Sequence, residues 1–100
     1  MAYIVYEITV ADNIRYIGMT KNIIKREYEH NYAFKRGDKK ELYDYIKSIG
    51  YSPEYYITLN RIKGFKTRAD AKRFEIFLII WDHFYCNKML KQKIPSISDR

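Results

Sequence analysis

Tyr3 to Val10 is rich in β-branched and aromatic residues, and Ile14 to Gly18 repeats that character after the turn-like Ala11-Asp12-Asn13. The pattern predicts a β-hairpin whose register depends on the loop. With a three-residue loop, Val10 faces Ile14, Ile8 faces Tyr16 and Tyr6 faces Gly18, so Tyr6 and Tyr16 become diagonal neighbours on one face. A turn made of Asp12-Asn13 alone would shift the register by one and send the two phenols to opposite faces.

Helical periodicity takes over after the hairpin. Asn22 suits the N-cap of a helix running to about Lys35, with Gly37 as its stop. Asp38 with Glu41 resembles a capping box opening a second helix, whose Leu42, Tyr45, Ile46 and Ile49 form a core-facing stripe before Gly50. After Pro53, Tyr55 to Ile62 alternates as a third strand would. Thr67 with Asp70 opens a last helix through roughly His83, with Ala71, Phe74, Leu78 and Trp81 on its buried stripe. The expected fold class is α+β: a small three-stranded antiparallel sheet flanked by helices, in the order ββααβα. Residues 1–90 form the domain, and 91–100 a basic, extended C-terminal tail.

A chain of 100 residues accommodates one core, so any function is expected to live on one compact unit. Its 19 Lys and Arg against 12 Asp and Glu give a net charge of +7, which suits a polyanionic partner. Cys86 is the only cysteine, which excludes an intramolecular disulfide framework and a cysteine-based zinc cage and fits a reducing, intracellular compartment. No signal peptide is recognisable, and the longest apolar run, Ile76 to Trp81, is too short to span a bilayer, so no membrane partner is expected.

Glu75 is out of place on the apolar stripe of the last helix, four residues after Ala71 and three before Leu78. A carboxylate there must be paired, protonated or bound to a metal. Its partner is either an arginine such as Arg26 or a divalent ion, since Mg²⁺ is often held by one or two carboxylates with water and phosphate completing its shell. Arg26 and His30, four apart, share a face of the first helix; the guanidinium fork suits a phosphate, and the imidazole can orient or relay a proton. A tyrosine serves as a base only where cations favour its phenolate, and Lys21, Lys25 and Arg26 are candidates to supply that field for Tyr6 and Tyr16. Among the other tyrosines, Tyr3, Tyr43, Tyr45, Tyr55 and Tyr56 read as cross-strand packing residues. Gly18 would let backbone or phosphate approach closely.

This ordered set resembles the GIY-YIG nucleases, the catalytic domain shared by some homing endonucleases, the incision module of bacterial nucleotide excision repair, certain restriction enzymes and resolvases. Tyr16-Ile17-Gly18 reproduces the second tripeptide, and Ile4-Val5-Tyr6 stands for the first, with Ile4 where the family name calls for glycine. Arg26, His30, Glu75 and Asn87 fall where the family carries its helix arginine, a histidine or tyrosine, its metal-binding glutamate and a late asparagine. The resemblance spans about residues 3–90. It implies an endonuclease that hydrolyses one DNA strand with a single Mg²⁺ or Mn²⁺ held by Glu75. Tyr6 would help deprotonate the attacking water with Tyr16 assisting, Arg26 would clamp the phosphate, His30 would support the proton network, and Asn87 would fix the local backbone or Glu75.

Double-stranded or branched DNA is expected ahead of RNA as the partner, with Gly18, Lys21, Lys25, Lys39 and Lys40 near the strand. Some homing relatives carry a further histidine after the first helix, where this chain reads Asp38-Lys39-Lys40. Targeting would come from loops, helix lysines, a homodimer or a partner protein, and the small, Lys-, Ile- and Tyr-rich chain suggests a stand-alone phage or mobile-element nuclease acting in the host cytoplasm. The competing expectation is a non-catalytic nucleic-acid- or protein-binding module on the same fold.

Overall fold

The structure, a computed structural model, describes residues 2–10, 14–51 and 54–82. Its elements are β1 (Tyr3–Val10), β2 (Ile14–Thr20), α1 (Ile23–Arg36), α2 (Glu41–Ser48), β3 (Asn60–Phe65) and α3 (Arg68–Trp81). The order ββααβα and the α+β class are those the sequence predicts. All pairing is antiparallel, and the strand order β2-β1-β3 puts the first strand in the middle.

The hairpin takes the three-residue register, with Val10 opposite Ile14, Ile8 opposite Tyr16 and Tyr6 opposite Gly18. On the other side of β1 the ladder with β3 slips between Val5 and Tyr6, where Val5 pairs with Lys63 and Tyr6 with Arg61. The shift marks an irregularity of the β-bulge kind beside Tyr6, a feature that commonly bends a strand and strengthens its twist.

Each face of the sheet builds its own core. Tyr6 and Ile8 look toward Phe34 of α1, Leu42, Tyr43 and Ile46 of α2, and Ile57 and Leu59 of the connection before β3. Val5 and Ile17 look the other way, toward Ala71 and Ile79 of α3. The period-2 alternation of the hairpin thus commits alternate residues to two different helix layers.

Local chemistry explains the helix ends. Asn22 is extended (φ −142°) and its side chain accepts the Lys25 N–H at 3.0 Å. Gly37 takes a left-handed φ of 87°, donating its N–H to the Phe34 carbonyl while Asp38 donates to Ala33, which closes α1 with the double bond of a Schellman motif. Thr67 caps α3 by accepting the Asp70 N–H at 3.2 Å.

Four expectations need correction. The Asp38-Glu41 capping box does not form: α2 starts after Lys40 without a side-chain cap, because Asp38 is drawn back to the guanidinium of Arg36, whose Nε lies 2.8 Å from Oδ1. On α2, Tyr43 is buried with Leu42 and Ile46, whereas Ile49 is 37% exposed. The third strand begins at Asn60, not Tyr55. Its alternation in Tyr55 to Leu59 is real, since Ile57 and Leu59 are buried, but this extended stretch bonds to helix side chains instead of a ladder. Asn31 donates to the Ile57 carbonyl at 2.9 Å and accepts the Ile57 N–H at 2.7 Å, and Glu27 accepts the Leu59 N–H at 2.9 Å. On α3 the buried set is Ala71, Glu75, Ile76 and Ile79; Phe74 and Leu78 are half-buried against the same core, and Trp81 is 46% exposed.

Candidate active site

Because Tyr6 and Tyr16 share a face, both rings meet the imidazole of His30 edge-on, each with centroids 6.1 Å apart. His30 projects from the inner face of α1 and is 1% exposed. Its Nε2 lies 3.0 Å from Tyr6 Oη and its Nδ1 lies 2.9 Å from Tyr43 Oη. A buried chain of three polar side chains therefore runs from the central strand through α1 to α2.

Tyr43 is the residue that sequence reasoning missed. It sits on a helix, not on a strand as a cross-strand packing residue. The available signal was its place one residue after Leu42 and three before Ile46, which puts a hydroxyl on the flank of the buried stripe, where it needs a partner. Tyr55 and Tyr56 also lie outside any ladder: Tyr55 stacks on Tyr51, and Tyr56 donates to Glu27 at 2.6 Å.

Burial fixes the protonation of the chain. Desolvation, followed by the positive charges of Arg26 and Lys40, takes His30 from 6.5 down to about 3. Burial pushes Tyr6 up to about 12 against the pull of Arg26, and does the same to Tyr43. Tyr16 is also raised by burial, with Arg26 opposing and Glu75 adding to the rise. All four groups are neutral near pH 7. The expectation that Lys21, Lys25 and Arg26 create a ready phenolate is thereby corrected. Lys21 lies over the ring of Tyr3, 5.1 Å from its centroid, Lys25 is exposed at the start of α1, and the pull of Arg26 is outweighed by desolvation.

Gly18 has a different use from the one expected. It is buried opposite Tyr6, and a Cβ built there would overlap the Tyr6 hydroxyl and lie 2.5 Å from its Cζ. The missing side chain seats the phenol of Tyr6, leaving no room for a phosphate.

Arg26 and Glu75 each find a partner on their own helix. Arg26 pairs with Glu29 at 3.3 Å, so the Arg26–Glu75 salt bridge does not form. Glu75 is 9% exposed; its Oε1 lies 3.0 Å from Lys72 Nζ, a Coulombic approach whose angles make no hydrogen bond, so that oxygen keeps its acceptor capacity. The charges of both Arg26 and Glu75 nevertheless act on Tyr6 and on Tyr16, which places the four in one electrostatic neighbourhood. Lys40 joins them, its Nζ 5.3 Å from the Tyr16 ring centroid and 5.8 Å from that of Tyr43, whereas Lys39 is exposed. Asn87 and the tail lysines lie outside the described residues.

Among the described residues no three His, Cys, Asp or Glu side chains converge as an ion cage. The buried carboxylate of Glu75, with an oxygen lacking a hydrogen bond, fits a hard divalent ion completed by water and a substrate phosphate. Among the same residues no helix is long and apolar enough to cross a membrane. No family model, curated protein or solved structure matches the chain.

Proposed function

We propose that the chain is a metal-dependent endonuclease of the GIY-YIG kind, hydrolysing phosphodiester bonds in double-stranded or branched DNA. The observation that carries this reading is the convergence of Tyr6, Tyr16, Arg26 and Glu75, from four separate elements, on one neighbourhood braced by His30. Arg26 clamps the scissile phosphate and offsets the charge that grows on its oxygens. Lys40, beside Tyr16, adds a second cation for the same anion. Tyr16, half-buried where Tyr6 is closed off, presents its hydroxyl to the attacking water. Tyr6, closed off from the water, receives its proton through the Tyr16 hydroxyl; being neutral, it does so only as it yields its own hydrogen, and His30 Nε2 is the acceptor 3.0 Å away.

Glu75 would hold Mg²⁺ or Mn²⁺, which when bound supplies Lewis-acid stabilisation of the leaving oxygen. The +7 charge supplies non-specific affinity that weakens steeply with salt.

A binding module on the same fold is the competing reading, and one assay separates the two. Supercoiled plasmid and branched DNA are incubated with protein and Mg²⁺ or Mn²⁺ beside Glu75→Ala. Cleavage by the wild type is expected to exceed that by the variant by roughly a thousandfold. Equal, background-level cutting by both across all DNA forms removes the enzyme.

A further inference from the structure

A neutral imidazole has one N–H and one lone pair, so the two hydroxyls around His30 cannot play the same part. Either Tyr6 donates to Nε2 and Nδ1–H donates to Tyr43, or Tyr43 donates to Nδ1 and Nε2–H donates to Tyr6. The surroundings of Tyr6 separate these cases. Tyr6 is 1% exposed, and its hydroxyl is pressed across Gly18. Besides His30, its strongest polar neighbour is Arg26, which carries donors and no acceptor. A hydrogen turned from His30 toward Arg26 would set a donor against a donor, whereas a hydrogen donated to Nε2 leaves the oxygen's lone pairs free for the guanidinium.

We propose that Tyr43 is a positioning residue that holds His30 as the Nδ1–H tautomer, so that Nε2 accepts the Tyr6 hydrogen and the Tyr6 oxygen faces the reaction. Tyr43 does this by accepting Nδ1–H at 2.9 Å from the opposite side of the ring, the role that an outer partner plays for an oriented histidine in many sites. The other tautomer would occupy the Tyr6 oxygen with Nε2–H and turn its hydrogen into the site, making Tyr6 a donor where the proposed nuclease needs an acceptor. The catalytic part of this inference rests on the nuclease reading; the tautomer itself does not.

Nitrogen-15 NMR of the imidazole rings in the substrate-free protein tests it directly. The chain has 2 histidines, and a His83→Gln variant assigns the His30 signals. The wild type is expected to show protonated Nδ1 and unprotonated Nε2. Tyr43→Phe, nearly isosteric, is expected to move His30 toward the Nε2–H form and to lower Mg²⁺-dependent cleavage on the order of tenfold to a hundredfold, with its unfolding transition still cooperative. A wild type that is mainly Nε2–H overturns the proposal, as does a folded Tyr43→Phe protein with unchanged tautomer. Should that variant fail to fold, the wild-type spectrum decides. Should the wild type cut no DNA, the nuclease reading falls while the tautomer assignment keeps its own answer.

Discussion

The two faces of the sheet are built on opposite principles. Toward α3, Val5 and Ile17 pack on Ala71 and Ile79 with no buried hydroxyl or ring nitrogen in the cluster. Toward α1 and α2, the same strands bury Tyr6 against His30 and Tyr43, a polar chain that is affordable only because both ring nitrogens and both hydroxyls find partners. The apolar face supplies stability that tolerates loose geometry. The polar face supplies geometry whose loss is felt beyond its energy, and Glu75 is a charged residue buried within α3, with Asp82 buried at its C-cap.

Neighbouring residues on β2 give the sharpest way to break this contrast. Ile17→Ala opens a cavity on the apolar face and should cost roughly 2–5 kcal/mol in urea unfolding while leaving cleavage per folded molecule unchanged. Gly18→Ala, one residue on and facing the other way, should cost about 1–3 kcal/mol by displacing the Tyr6 ring, and should also abolish most cleavage. Equal catalytic damage from the two would erase the division of labour.

Acid is the next probe. His30 remains neutral in the fold down to about 3, against 6.5 for the free group, so between these values the unfolded chain binds the extra proton. Stability from this group is complete above pH 6.5 and falls as pH falls, with a slope approaching about 1.4 kcal/mol per pH unit. Denaturant titrations from pH 7 to 5 should show that slope in the wild type and in Ile17→Ala, and a flatter one in His30→Gln. The smallest effect belongs to Glu75→Gln, which should change stability by less than about 1 kcal/mol or raise it slightly, because no hydrogen bond to Oε1 is lost and Lys72 can turn to solvent. A loss of several kcal/mol would make the Lys72–Glu75 pair a structural bridge.

The elements legible in the sequence were those set by local rules. The hairpin followed from period 2, with its register left to the length of the loop; the caps at Asn22, Gly37 and Thr67 followed from side-chain and backbone preferences at helix ends. The anomaly of Glu75 was legible too, since a carboxylate on an apolar stripe is visible in any helical projection. What could not be read were choices between competing partners distant in sequence. Asp38 had a cap and an arginine available and took the arginine. Ile57 alternates as a strand residue does, and nothing local says that its hydrogen bonds go to Asn31. Tyr43 needed a partner, but a period counts positions on one helix and cannot name a ring on another.

Asn31 has a consequence beyond packing. Its carboxamide offers Ile57 one donor and one acceptor, just as a residue in an adjoining strand would. An extended, apolar stretch with free backbone groups is an invitation to a second chain. By answering it from within the molecule, a single side chain on α1 guards against runaway self-association, and Asn31→Leu, which fills the same space without the amide, should expose that hazard as aggregation during refolding.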